Sequence, residues 1–107
     1  MSEKKKVLFI CTGNTCRSPM AEGLFRKLVA EKPDYEVLGS AGVSAYPGDK
    51  ISPETAAVLK QQSADLPEFR SRAVTADLLE NATHVFAMTE SHLDMLVHAF
   101  PDYAEKC

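Results

Sequence analysis

The chain has 107 residues, 45% of them hydrophobic and 25% charged, with a net charge of −3; that is the size and balance of one ordinary globular domain. The slight acidity argues against nucleic acid as a main partner, which calls for a basic face. No apolar run approaches the ~20 residues of a membrane helix, and the N-terminus lacks the apolar core of about 7–15 residues that marks a signal peptide. The expectation is therefore one domain over residues 1–107, cytoplasmic, with no membrane partner. In that compartment thiols stay reduced, and an odd count of three cysteines does not suit a disulfide scaffold.

In chain order, Lys4-Lys5-Lys6 leads into the continuous apolar run Val7–Ile10, the pattern of a strand buried on both faces. The segment CTGNTCRSP, Cys11–Pro19, follows. Ser18 and Pro19 then give a cap and a first-position proline, and Met20, Ala21, Leu24, Phe25, Leu28 and Val29 recur at helical spacing with Glu22, Arg26 and Lys27 between them. Lys32-Pro33-Asp34 ends this helix. Tyr35–Leu38 reads as a second strand closing on Gly39-Ser40-Ala41-Gly42, and Ser44–Lys50 as a loop. Ser52-Pro53 starts a helix to about Gln62, and Thr75 caps a short one to about Glu80. His84–Met88 is a third strand. Thr89 caps a helix carrying Leu93, Leu96, Val97 and Phe100, which Pro101 ends. Strands alternating with helices predict an α/β fold with a parallel sheet.

A strand, a short Gly-containing loop and a helix start form an anion cradle: loop amides and the helix N-terminus point at one spot, where the helix dipole favours negative charge. The Gly-Lys-Ser/Thr ending of a nucleotide-binding phosphate loop is absent. A cysteine stands first instead. Cys11 would sit where amides and dipole stabilise a thiolate, and Arg17 adds positive charge and a planar fork able to hold two phosphate oxygens. Ser18 is placed to donate a hydrogen bond to the sulfur. Gly13 leaves the loop backbone unrestricted, and Asn14 tolerates a left-handed turn. The implied chemistry is attack by sulfur on phosphorus through a phosphocysteine. A lone cysteine after a strand is commonly a small buried hydrophobe; it is the ordered set that points to chemistry.

CTGNTCRSPMAEGLF resembles the low-molecular-weight protein tyrosine phosphatases, whose signature is cysteine, five residues, arginine and serine near the N-terminus. SAGVSAYPG, SPETAAVL, FRSRAVT and VFAMTESHLDML extend the likeness over nearly the whole chain. The resemblance implies a three-layer sandwich with sheet order 2-1-3-4 and a phosphate-binding loop between strand 1 and helix 1. It makes Cys11 the nucleophile, Arg17 the phosphoryl ligand and Ser18 the thiolate's helper. Thr12, Gly13, Asn14, Thr15 and Cys16 complete the phosphate loop with Arg17. Asn14 would brace the loop through Ser40, Cys16 would form a reversible disulfide with Cys11, and Tyr46 would rim the substrate cleft. Substrates are phosphorylated proteins or small aryl phosphates, with no cofactor. Thr15 is similar to the bacterial protein arginine phosphatase branch, where the tyrosine phosphatases carry an aliphatic residue; phosphotyrosine and phosphoarginine both stay open.

The family's general acid is an aspartate before a proline, beyond the third strand and the helix that follows it. No Asp-Pro occurs in this sequence, and Asp102 follows a proline, as a surface turn residue would. The family's fourth strand and last helix are likewise missing, which exposes one edge of strand 3 and part of its apolar face; the expectation is a C-terminally incomplete domain, either a fragment of a longer protein, the simpler reading, or a chain that completes itself by self-association through that edge. Three other functions compete for this pattern. An arsenate reductase would need resolving cysteines near the end of strand 3, where VFAMTESH has none. A non-catalytic phosphate-binding remnant would do without the acid. A metal site fits poorly: Cys11 and Cys16 stand five positions apart against roughly two to four in zinc knuckles, and His92 and His98 read as helix-surface residues.

Overall fold

The strand that begins at Lys5 is the centre of the sheet. In the computed structural model, which describes residues 5–13, 17–43, 45, 48–64, 66 and 69–106, β1 (Lys5–Cys11) pairs in parallel with β2 (Tyr35–Gly42) on one side and β3 (His84–Ala87) on the other. The order β2-β1-β3 matches the first three places of the expected 2-1-3-4. The helices are α1 (Arg17–Leu28), α2 (Pro53–Gln61), α3 (Ala76–Asn81) and α4 (Glu90–Ala99), with a 3-10 turn over Pro101–Lys106.

Residues 7–11 of β1 are all buried, as a central strand covered on both faces requires. Their alternation divides them. Leu8 and Ile10 join Val85, Leu79, Ala82 and Leu96 in the core beneath α3 and α4. On the opposite face, Phe9 meets Phe25 of α1 edge-on, with ring centroids 5.6 Å apart, and stacks on Phe86 of β3 at 5.9 Å. The sheet is thus the middle of three layers, with α2 packed on α1. Ser52, Thr75 and Thr89 cap α2, α3 and α4 as expected, each side chain accepting from the amide three residues on.

The structure corrects three expectations about elements. First, β2 continues through Gly42 instead of closing at Leu38. It can do so because its register against β1 shifts once, with Val37 opposite Val7 but Gly39 opposite Leu8. Gly39 takes φ +126°, and a Cβ there would lie 2.6 Å from Arg72 Nη2, so the bulge needs glycine. Second, α1 begins at Arg17, so Ser18 lies inside the helix and is fully buried. Third, the buried face of α1 is Ser18, Pro19, Glu22 and Gly23, not the whole apolar stripe: Leu24 is 40% and Leu28 71% exposed. With Phe9, Ala21, Phe25 and Lys27 these two line an open groove of about 650 Å³. Phe86, at the rim of the same face, is 48% exposed. The resemblance implied an uncovered face on strand 3, and of these residues only Phe86 belongs to β3.

Candidate active site

The last residue of β1 is Cys11, 4% exposed. Its position is held on both sides: Val43 donates to the Cys11 carbonyl at 2.9 Å, and Met88 to that of Ile10 at 2.9 Å. The strand therefore delivers the thiol at its carboxyl end, where open α/β sheets place their ligands. The Cys11 sulfur lies 2.9 Å from the Ser18 hydroxyl oxygen in a buried contact. Because α1 starts at Arg17, Ser18 lies in its first turn, so the contact brings the sulfur to the helix N-terminus, the end where amides lack intrahelical partners. Arg17 is exposed at that same helix end. The structure thus brings Cys11, Ser18 and the start of α1 to one place, with Thr12 exposed and Gly13 partly exposed just beyond the thiol. Asn14, Thr15, Cys16 and Tyr46 lie outside the described residues, as does the expected Asn14–Ser40 brace.

Between α1 and β2 stands a polar layer that the helical pattern did not reveal. Glu22 reads in sequence as a solvent-face residue between apolar positions, yet it is buried at 7% exposure. Its carboxylate accepts from Ser40 Oγ at 2.7 Å and from Arg26 Nε at 2.9 Å. Arg72 donates from Nε to the Ser40 carbonyl and from Nη2 to the Leu38 carbonyl, both at 2.9 Å. Ser40 is thereby fixed from side chain and backbone at once, and a carboxylate placed between donors is a satisfied buried charge. The sequence signal was present in the MAEG of the resembling string, but periodicity alone assigned Glu22 to water.

His92 is a second correction. It was expected on a helix surface; it is 5% exposed in the first turn of α4, and its Nε2 lies 2.8 Å from Thr12 Oγ1. Asp102 is exposed, as expected. Among the described residues, no group of three or more His, Cys, Asp or Glu side chains could hold a metal ion, and no helix is long and apolar enough to cross a membrane.

Residues 6–107 match the family model for low molecular weight phosphotyrosine protein phosphatase. The chain belongs to this family. A protein-arginine-phosphatase from Geobacillus stearothermophilus is 43% identical over 101 residues, covering 94% of this chain and 66% of its own length. The solved low molecular weight protein tyrosine phosphatase from T. tengcongensis superposes with a TM-score of 0.89 at 44% identity, covering 96% of this chain and 71% of that one. A further solved structure is an arginine phosphatase whose active-site cysteine is replaced by a serine, and that serine is phosphorylated; it gives a TM-score of 0.86 at 36% identity, over 94% of this chain and 66% of that one. The chain spans 55–66% of the length of the curated relatives it matches. Among the described residues, the strand-end Cys11 and the first-turn Ser18 lie in buried contact at 2.9 Å.

Proposed function

We propose that the chain carries the phosphate cradle and nucleophile of a cytoplasmic protein phosphatase working through a phosphocysteine on Cys11. The observation that carries this reading is the buried 2.9 Å contact between the Cys11 sulfur and Ser18 Oγ, at the point where a strand hands over to a helix N-terminus. In the first step the Cys11 thiolate attacks phosphorus. An S–P bond forms, the bond from phosphorus to the substrate's oxygen or nitrogen breaks, and the leaving group takes a proton from solvent water. In the second step water attacks phosphorus, the S–P bond breaks, and inorganic phosphate and the thiolate are released. Ser18 donates to the sulfur while it is anionic, which helps it leave in the second step. Arg17 holds two equatorial phosphoryl oxygens in its fork, and the amides of Thr12, Gly13, Asn14, Thr15, Cys16 and Arg17 take the remaining charge. Asn14 braces the loop against Ser40, Cys16 protects Cys11 as a reversible disulfide, and Tyr46 rims the cleft.

The substrate is a phosphorylated protein side chain, phosphotyrosine or phosphoarginine. Thr15 is the position that separates the two, since its hydroxyl can orient a water or meet a guanidinium where an aliphatic side chain cannot. Residues 1–107 contain no Asp-Pro pair, and protonating the leaving group is worth roughly 10²–10⁴-fold. An aryl phosphate with a good leaving group therefore turns over far faster on this chain than phosphotyrosine does. Among the described residues β3 is an edge strand, and that edge with the exposed Phe86 and Leu28 is where a second copy of the chain would associate. The deciding experiment is steady-state kinetics of the chain, and of a version extended at its C-terminus, on p-nitrophenyl phosphate, phosphotyrosine and phosphoarginine peptides. Phosphocysteine trapping by mass spectrometry and a Cys11→Ser control accompany it. Equal rates on p-nitrophenyl phosphate and phosphotyrosine, or an extension that restores nothing, would overturn the account of the acid. A Cys11→Ser chain that lost nothing would leave a phosphate-binding module.

A further inference from the structure

The mechanism above makes no use of His92, yet the fold buries it. Its ring is 5% exposed and is fixed at both ends of the residue: the His92 amide donates to Thr89 Oγ1 at 3.2 Å, and Nε2 lies 2.8 Å from Thr12 Oγ1. The other ring nitrogen, Nδ1, is buried with no hydrogen-bond partner. A buried polar atom without a partner is a cost that calls for an explanation, and an apolar side chain would fill the same place without it. The unpaired nitrogen also selects the tautomer. An orphaned buried N–H is rarer and worse than an orphaned lone pair, so the proton sits on Nε2, and Nε2–H donates to Thr12 Oγ1. The Thr12 hydroxyl hydrogen then remains to be donated onward.

Thr12 is the residue directly after Cys11, and its side chain is exposed at the start of the loop. The two residues are 80 positions apart in sequence, and α4 is anchored in the core through Leu96. We propose that His92 is a positioning residue: from the buried first turn of α4 it holds Thr12, and with it the beginning of the anion loop, in the arrangement that binds phosphate beside Cys11. The proposal rests on the phosphatase reading, and it ties the residue that follows the nucleophile to α4.

The test compares the unaltered chain with His92→Leu, His92→Gln, Thr12→Val and the His92→Leu/Thr12→Val double variant. Gln can place an amide N–H near the position of Nε2, whereas Leu keeps only the bulk. Two readouts are taken: p-nitrophenyl phosphate kinetics, and the concentration of inorganic phosphate that half-protects Cys11 from iodoacetamide, with the alkylated cysteine identified by peptide mass spectrometry. His92→Leu and Thr12→Val should each lower kcat/KM and raise the protecting phosphate concentration by roughly three- to tenfold, the size of one hydrogen bond. The double variant should be no worse than either single one, because both remove the same bond. His92→Gln should recover most of the loss. Thr12→Val alters an exposed side chain, so it stays informative even if a His92 variant fails to fold. Multiplicative effects, a Gln variant no better than Leu, or a Thr12→Val chain protected like the unaltered one would each overturn the proposal. An unaltered chain that phosphate protects but that turns nothing over would sink the phosphatase reading and leave the His92 anchor measurable. Absence of protection in the unaltered chain would overturn both.

Discussion

Replacing Gly23 by alanine should destabilise this protein, although alanine is the better helix former. Gly23 faces inward from α1, and a Cβ built there would stand 2.8 and 3.0 Å from the two methyls of Leu59 and 2.9 Å from the Ala64 carbonyl oxygen. Neither neighbour yields cheaply. Leu59 is 0% exposed, so its side chain has no solvent to swing into. Ala64 is tied back by its amide to the Leu59 carbonyl at 2.8 Å, just after Ser63 makes a left-handed turn at φ 57°. Overpacking of a stiff site costs about 2–3 kcal/mol, and the gain in helix propensity returns about 1 kcal/mol. The net loss is about 1–2 kcal/mol, or a Tm lower by roughly 4–16 °C for a domain of this size. Thermal unfolding followed by far-ultraviolet circular dichroism measures it. Adding Leu59→Ala to Gly23→Ala should then cost less than the sum of the two single changes, because the second substitution removes the obstacle to the first. A Gly23→Ala protein that melts at or above the parent temperature, or strict additivity with Leu59→Ala, would refute the close α1–α2 packing on which the estimate rests.

Three other outcomes are expected. Ser18→Ala removes a hydroxyl 2.9 Å from the Cys11 sulfur; a hydrogen bond to a charged group is worth about 1.5–3 kcal/mol, so Cys11 alkylation and aryl phosphate hydrolysis should slow roughly ten- to hundredfold, and rates within twofold of the parent would contradict the role given to Ser18. The Tyr103 phenol is held above its ordinary value of 10.0, first by its hydrogen bond with Glu80, then by desolvation and by the charges of Glu80, Asp102 and Asp77. The folded state then keeps a proton that the unfolded state gives up, so stability from this group is present below about pH 10 and declines as pH rises above it; ultraviolet titration should show one late tyrosine that moves earlier in Glu80→Gln, and identical titrations would negate the contact. Leu28→Glu should weaken the self-association proposed above by charging an exposed apolar position, and sedimentation profiles indistinguishable from the parent at high concentration would count against that proposal.

Much of this protein follows from the sequence by itself. The unbroken apolar run Val7–Ile10 is legible because a central strand is buried on both faces, and no polar residue can interrupt it. Ser52, Thr75 and Thr89 mark helix starts correctly because capping is a local matter: each side chain reaches an amide only three residues away. Cys11, Arg17 and Ser18 stand out for the same reason, since a strand, a loop and a helix start are contiguous in the chain. Tertiary structure decided the rest. Gly39 lets β2 run on because β1 continues beside it and Arg72 occupies the space a side chain would need. Glu22 and His92 look like solvent-facing helix residues, and each is buried because its partner arrives from another element: Ser40 from β2, 18 positions on, and Thr12 from the loop, 80 positions back. Leu24 and Leu28 satisfy the helical period, but the described fold puts nothing over them. Periodicity reports which residues share a face of one helix, whereas burial depends on what the rest of the chain brings to that face, and only three-dimensional packing determines that.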